Sequence, residues 1–407
     1  MGHLFTLKAR MGTSVVFMFV VLSAFIFALS VLILFLFTEL PSYFSFFDPT
    51  SYLEDAFLDI SYYLDIEIDE ATWLYLQIQF FMMMMQYQVS FFTTFSLPQN
   101  LFPMVIGVSV FTLFFMLFQW GIGPAIVRRS LHLEYLSKGK NPWLKKTVSK
   151  LAKKSGLPTP KIAIWPTQQP NACVFGRTAG SSTLAVSSGL LNTLNQDEVE
   201  SVIGHEIGHL RHKDYLVMTC LSAVPVMCYM IAMFAFYGST GQRRGKSAII
   251  LIAIAILAFI LYILTLIVVR TLSRQREFYS DAYSAYVTEN PRGLKSALTK
   301  IAYGLSVNPQ ETHGARAFFI EDPANAVDQI QRIVERKSEY DLDKDGTLDE
   351  KELEQAMEAE AKRTRWNGFN NLFSTHPPTY KRVLLLSQIE REMASAKYST
   401  KNIYKNV

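Results

Sequence analysis

Hydrophobic residues in this chain gather in long uninterrupted blocks rather than at the two-residue or 3.6-residue spacing of half-buried elements. Ser14 to Phe37 contains no charged residue and is long enough to cross a hydrocarbon core of ~30 Å as a helix. Its length, and the lack of a small-x-small site after it, predict a permanent anchor rather than a cleaved signal. Leu101 to Trp120, Tyr215 to Tyr237 and Ala248 to Val269 predict three further spans. Trp73 to Phe95 is also apolar but carries Gln77, Gln79, Gln86 and Gln88, and reads as an interfacial or re-entrant helix. None of the four spans holds Asp, Glu, Lys, Arg or His, which disfavours ion pumping or proton-coupled transport. A different pattern begins at Asn195. Val199, Val202, Ile203, Ile207 and Leu210 recur at helical spacing behind an Asn195/Glu198 pair of capping-box type, predicting one amphipathic helix.

Composition agrees with a membrane protein. Of 407 residues, 50% are hydrophobic and 18% charged, against roughly 25% charged in soluble domains. A net charge of +4 excludes a nucleic-acid binder with a wholly basic surface. Cys173, Cys220 and Cys228 are too few and too scattered for a disulfide framework or a cysteine zinc site. Charge also predicts sidedness. Lys8 and Arg10 precede the first span and an acidic loop follows it. After the second span comes a basic run from Arg128 through Lys154, and Arg270, Arg274 and Arg276 follow the fourth. The positive-inside rule then puts the N-terminus and the polar segments in the cytoplasm of a multi-pass protein of the cell membrane. Arg243, Arg244 and Lys246, in the short third connection, run against this and are outweighed by the two larger clusters.

On the amphipathic helix His205 and His209 are four residues apart, so both imidazoles leave one face, with Glu206 beside the first. This is H-E-x-x-H, in which the two histidines bind Zn²⁺ and the glutamate acts on water. A catalytic zinc needs a third protein ligand. The best candidate is Glu277, with Asp281 one turn further on to orient a ligand histidine. Spacing alone leaves open whether Glu277 is a ligand or a solvated charge among arginines.

Several segments in order resemble the membrane-bound M48 zinc metalloproteases, particularly the HtpX-like branch. They are PNACVFG (Pro170 to Gly176), LAVSSGLLNTL (Leu184 to Leu194), HEIGH with Asp214, EFYSD (Glu277 to Asp281) and STHPPTYKRV (Ser374 to Val383). The resemblance implies His205, His209 and Glu277 as zinc ligands and Glu206 as general base. Asp281 and Asp214 would support the ligands, and His376 would lie near the metal and help stabilise an oxyanion. Asn171 would belong to an edge segment that holds substrate backbone. The implied activity is cleavage of damaged or misfolded proteins, membrane proteins among them, by metal-activated water. Residues 173–175 read CVF where the family usually has FA-like residues.

A second metal signal lies outside that pattern. Asp341, Asp343, Asp345, Gly346 and Glu352 fill positions 1, 3, 5, 6 and 12 of an EF-hand loop. Thr347 would offer its carbonyl at position 7 and Asp349 would act through water at position 9. Helical flanks are expected over Ala324 to Tyr340 and Lys351 to Arg365. Calcium is therefore an expected second cofactor, whether it regulates or only stabilises.

The expected architecture is a mainly α integral membrane protein. It has four transmembrane helices, a cytoplasmic zincin-type (gluzincin-like) α+β catalytic domain and an inserted EF-hand-like helix-loop-helix. The expected segments are 1–127 and 215–270 in the membrane, 128–214, 271–323 and 367–407 in the catalytic domain, and 324–366 as the insertion. The expected partners are polypeptide substrates and the lipid bilayer, without nucleic acid. Two other functions fit parts of the sequence. A CAAX-type prenyl-protein protease is disfavoured by four rather than about seven spans. A non-enzymatic calcium-sensing membrane scaffold is disfavoured by the intact Glu206.

Overall fold

A computed structural model of the chain describes residues 101–137, 139–240, 246–307, 323–346, 348–363, 374, 376–395 and 404. The first expected span, the acidic loop, the Trp73 to Phe95 segment and the basic residues Arg243 and Arg244 lie outside these. The chain divides into two compact units. Among the described residues one is drawn from 121–218 and from 267 onward, the other from 101–120 and 219–266.

In the second unit the expected runs are helical. Leu101 to Trp120 forms the start of α1 (Leu101–Ser130). Two later helices, over Asp214–Ser239 and Leu251–Thr288, are long and apolar enough to cross a bilayer. Ile249, Ile252, Ile256, Leu257, Ile260 and Leu264 present their side chains outward. An outward apolar face of this extent has no favourable partner in water.

The first unit carries the polar chemistry. Its sheet contains β1 (Glu134–Tyr135), β2 (Lys161–Trp165), β3 (Ala172–Phe175) and β4 (Thr183–Ser187), in the order β1-β2-β4-β3. The β2/β4 pair is parallel and the two outer pairs are antiparallel, so β3 is an edge strand. Between β1 and β2 runs α2 (Pro142–Lys154), whose Leu144, Val148 and Leu151 are fully buried. After β4 come the short α3 (Ser188–Thr193) and then α4 (Gln196–His212). The amphipathic stripe is buried as expected: Val199, Val202, Ile203, Ile207 and Leu210 all lie in the core.

Both halves of the capping box are made. Asn195 accepts from the amide of Glu198 at 3.0 Å, and Glu198 accepts from the amide of Asn195 at 2.8 Å. The other oxygen of Glu198 receives Ser296 Oγ at 2.5 Å and Lys300 Nζ at 2.6 Å from α7 (Pro291–Val307). One carboxylate therefore both starts α4 and ties it to a neighbouring helix.

Lys213 ends α4 in the left-handed region at φ 60°. The chain restarts as α5 (Asp214–Thr240) and returns through α6 (Lys246–Thr288), which continues well past its apolar part. Beyond α7 lie α8 (Pro323–Glu335), α9 (Lys337–Tyr340), α10 (Glu350–Arg363) and α11 (Thr379–Ala394). The first helical flank of the acidic loop is thus broken at Arg336 into α8 and α9 rather than continuous. The second starts at Glu350, one residue earlier than expected.

Helix α4 carries Gly204 and Gly208 one turn apart toward α6. A Cβ on Gly204 would sit 2.9 Å from Thr288 Cγ2, and one on Gly208 would sit 3.2 Å from the Cα of Ser280. Ser284 Oγ donates to the carbonyl of Ser201 at 2.6 Å across the same seam. Small residues at four-residue spacing on both helices let the backbones approach closely.

Replacing the cap residue in Asn195→Ala should lower stability by about 1 kcal/mol, the usual cost of a lost N-cap. A lower midpoint in thermal melts of the detergent-purified protein, with helix content retained, is the expected result.

Candidate metal centre

The seam between α4 and α6 puts three potential ligands together. His205, His209 and Glu277 each offer one atom, and these atoms lie within 4.8 Å of one another. The Nε2 atoms of His205 and His209 are 3.0 Å apart. His205 Nε2 is 3.3 Å from Glu277 Oε2, and His209 Nε2 is 3.5 Å from Glu277 Oε1. The two rings stand almost perpendicular, at 86°. Histidine orientation is set from behind. His205 Nδ1 is 2.9 Å from Asp281 Oδ1, and His209 Nδ1 is 2.6 Å from Asp214 Oδ2. Each carboxylate fixes one Nδ1 and leaves Nε2 turned toward the common point, as carboxylates behind metal-bound histidines do. Asp214 reaches His209 because the left-handed Lys213 turns the chain immediately after α4.

Glu206 and His376 are buried beside this cluster. His376 Nδ1 is 3.5 Å from Glu277 Oε1, and neither of its ring nitrogens makes a hydrogen bond. Glu277 Oε2 is likewise buried without a hydrogen-bond partner. His209 is the more open of the two helix histidines, its side chain 17% exposed against 1% for His205. Asn171 is fully buried just before β3. Its backbone amide donates to Ser187 Oγ at 2.8 Å.

Two arginines complete the cluster. Arg382 on α11 is among the largest fully buried side chains. It donates to both oxygens of Asp281, from Nε at 2.8 Å and from a terminal nitrogen at 2.7 Å. Arg276 is 2.5 Å from Asp214 Oδ1 and is equally withdrawn from solvent. Neither arginine was assigned a role by motif spacing. Arg382 lies within the quoted STHPPTYKRV segment, but no spacing rule connects it to Asp281, 101 residues earlier.

These contacts set the electrostatics. Burial alone would strip the proton from His205, but the neighbouring carboxylates of Asp281 and Glu277 outweigh it and raise the imidazole to about 9. Burial holds His209 well below the ordinary histidine value. Glu206 is raised to about 7, mainly by burial and further by the negative charge of Glu277. Burial pushes the Cys173 thiol on β3 upward, and the Glu206 carboxylate adds to the effect; α4 packs against β3.

The residues fit a divalent metal ion. Four buried carboxylates (Glu206, Asp214, Glu277 and Asp281) face two buried guanidinium groups (Arg276 and Arg382). A divalent cation would offset this excess of buried carboxylates, and two imidazoles with a carboxylate are the donor set of a catalytic zinc.

In the second cluster, Asp341, Asp343 and Asp345 bring one carboxylate oxygen each within 4.8 Å of the others. Asp341 Oδ1 is buried without a partner. Gly346 takes φ 80° and its amide donates to Asp341 Oδ2 at 3.0 Å. Glu352 instead turns its carboxylate to loop amides, accepting from Leu342 at 2.6 Å and from Asp349 at 3.1 Å. Thr347 lies outside the described residues.

A candidate metal site made of two histidines on one helix and a glutamate from another, with a buried glutamate beside it, is the arrangement of metal-dependent peptidases. Residues 138–390 match the model for peptidase family M48. A protease HtpX homolog of Aeropyrum pernix is 31% identical over 299 residues, covering 69% of this chain and 85% of the relative. The homolog of Pyrococcus abyssi is 31% identical over 297 residues, covering 71% and 88%. That of Methanothermobacter thermautotrophicus is 37% identical over 188 residues, covering 46% and 70%. The crystal structure of S. mikatae Ste24p matches 64% of this chain and 65% of that one with a TM-score of 0.44 and 16% identity. The chain belongs to peptidase family M48 and is an HtpX-like metalloprotease.

In Arg382→Met, Asp281 keeps its buried charge without its bidentate partner, a change of the kind that costs about 3–5 kcal/mol. With Asp281 no longer held by Arg382, the carboxylate that orients His205 is loosened, and metal binding should weaken by roughly 10–100-fold. Competition with a chelator, compared between wild type, Arg382→Met and Arg382→Lys, checks this. Wild-type metal retention in Arg382→Met would remove the assigned role.

Proposed function

We propose that this protein is a membrane-embedded zinc endopeptidase. His205, His209 and Glu277 hold the metal, and Glu206 acts as general base on polypeptides that include damaged membrane proteins. The observation that carries the reading is the convergence of the three ligand atoms, with each histidine Nδ1 already occupied by a carboxylate. When bound, zinc supplies a Lewis acid that polarises the scissile carbonyl and makes water more acidic. Glu206, raised toward neutrality in its buried position, takes the proton of the attacking water and passes it to the leaving amine nitrogen. His376, with both ring nitrogens uncommitted beside Glu277, donates to the carbonyl oxygen as negative charge develops there.

Substrate binds as an added strand. Among the described residues, the edge strand β3, headed by Asn171, pairs with β4 on one side only, and α4, which carries Glu206, packs against it. An extended peptide laid along its free edge would be held by main-chain hydrogen bonds, with little demand on side-chain identity. This suits a protease for misfolded chains. The four-span topology with a cytoplasmic active site is supported by the charge pattern of the sequence.

Glu206→Gln should retain about one zinc per chain, because the ligands are untouched. It should lose casein cleavage by at least ~10²-fold, the contribution of a general base. Metal analysis and cleavage on detergent-purified protein, wild type beside variant, give the test. Absence of zinc from both would overturn the assignment.

The loop Asp341, Asp343, Asp345, Thr347 and Glu352 binds calcium in this reading, supported by the three converging carboxylates and the unpartnered Asp341 Oδ1. Added calcium should raise the melting temperature of wild type and leave an Asp341→Ala, Glu352→Ala double variant unmoved. If calcium also regulates, casein cleavage should respond to it in wild type alone.

A further inference from the structure

A cavity of about 230 Å³ opens on the first unit, away from the metal ligands. Arg128 of α1, Lys161 of β2 and Arg177 after β3 line it, and no carboxylate does. The sheet explains why they meet. Lys161 pairs with Thr183 in β2/β4, and Phe175 pairs with the same Thr183 in β3/β4, forming one cross-strand row. Tyr135 pairs with Ala163, two residues along β2 from Lys161, and so faces the same side. Its neighbour Glu134 alternates to the opposite face and stays out of the lining.

The three cations are not equally committed. Arg177 Nε donates to the carbonyl of Gly121 at 2.6 Å, which ties the end of β3 to α1. Among the described residues, the side chains of Arg128 and Lys161 make no ion pair or hydrogen bond. Three like charges around one concavity repel one another, and an anion relieves that repulsion. Thr183 and Tyr135 add hydroxyl groups of the kind that complete oxyanion sites. Sequence position narrows the anion further. Arg128 follows the uncharged run ending at Trp120 by eight residues on the same helix. Basic pockets at such places suit the headgroups of anionic lipids.

We propose that this pocket binds the phosphorylated headgroup of an anionic phospholipid. Phosphate oxygens meet Arg128, Lys161 and Arg177, and the exposed ring of Tyr135 lies against the glycerol region. The proposal rests on reading α1 as a membrane helix. It adds a lipid site next to the end of the edge strand, so lipid occupancy would steady the strand on which substrate is laid.

The test uses the full chain reconstituted in nanodiscs of phosphatidylcholine with a minor fraction of phosphatidylglycerol. The lipid retained after extraction is then measured by native mass spectrometry. Wild type should retain phosphatidylglycerol in excess of its share. Arg128→Gln with Lys161→Gln should lower that excess by ~10-fold or more, since each cation near an anionic surface contributes to attraction. Unchanged zinc content and melting temperature in the double variant keep misfolding from imitating the result. In discs of phosphatidylcholine alone, titration with inorganic phosphate and glycerol 1-phosphate separates the sources. Phosphate binding lost in the variant, without any phosphatidylglycerol excess in wild type, would overturn the lipid assignment in favour of a soluble anion. Equal retention by wild type and variant would overturn the site itself. A chain that stays soluble without detergent and enters no disc would instead overturn the membrane reading, a result distinct from loss of lipid preference.

Discussion

The close approach of α4 and α6 is the constraint on which the rest depends. Gly204 and Gly208 leave room for Thr288 and Ser280, and any side chain there would push the helices apart. The candidate ligands are divided between these two helices, with separations of 3.3 and 3.5 Å from histidine to glutamate. Widening the seam by even a methyl group would open those distances by a comparable amount. The glycines of the GHEIGH segment therefore act on the chemistry through packing, although they bear no functional group.

Charge is the second constraint. Burying Glu206, Asp214, Glu277 and Asp281 in one cluster would be strongly unfavourable without compensation. Arg276 and Arg382 neutralise part of it from two different elements, and a divalent ion would offset more of it. The same arrangement separates the tasks of the carboxylates. Asp214 and Asp281 are committed to arginine and histidine, Glu277 points one unpartnered oxygen into the site, and Glu206 is raised by burial toward the range useful to a base. The local environment of each carboxylate, rather than its residue type, makes them different.

The sheet supports the site from the other side. Its order leaves β3 at an edge, and burial there places Cys173 within electrostatic reach of Glu206. The opposite end of the same strand leads into Gly176 and Arg177 and the basic cavity. One short strand thus connects the chemistry of peptide cleavage with a surface suited to anions.

Much of this was legible along the chain because it is local. The helix from Gln196 to His212, its reciprocal Asn195/Glu198 cap, its buried stripe and its paired histidines all follow from contacts within four residues. The long apolar runs declare themselves by length and composition. Glu277 and Asp281 could be nominated by spacing, but nothing local distinguishes a ligand from a solvated charge. That was decided by the seam between α4 and α6, together with the left-handed turn at Lys213 that returns Asp214 to His209. Arg382 was invisible for the same reason: its partner Asp281 is 101 residues away, and only packing makes them neighbours. In the acidic loop the sequence determined the order of carboxylates, while the folded backbone turned Glu352 toward amides. Periodicity and capping are short-range effects written in adjacent residues. Charge compensation and backbone approach are long-range effects, and they exist only once distant segments are packed together.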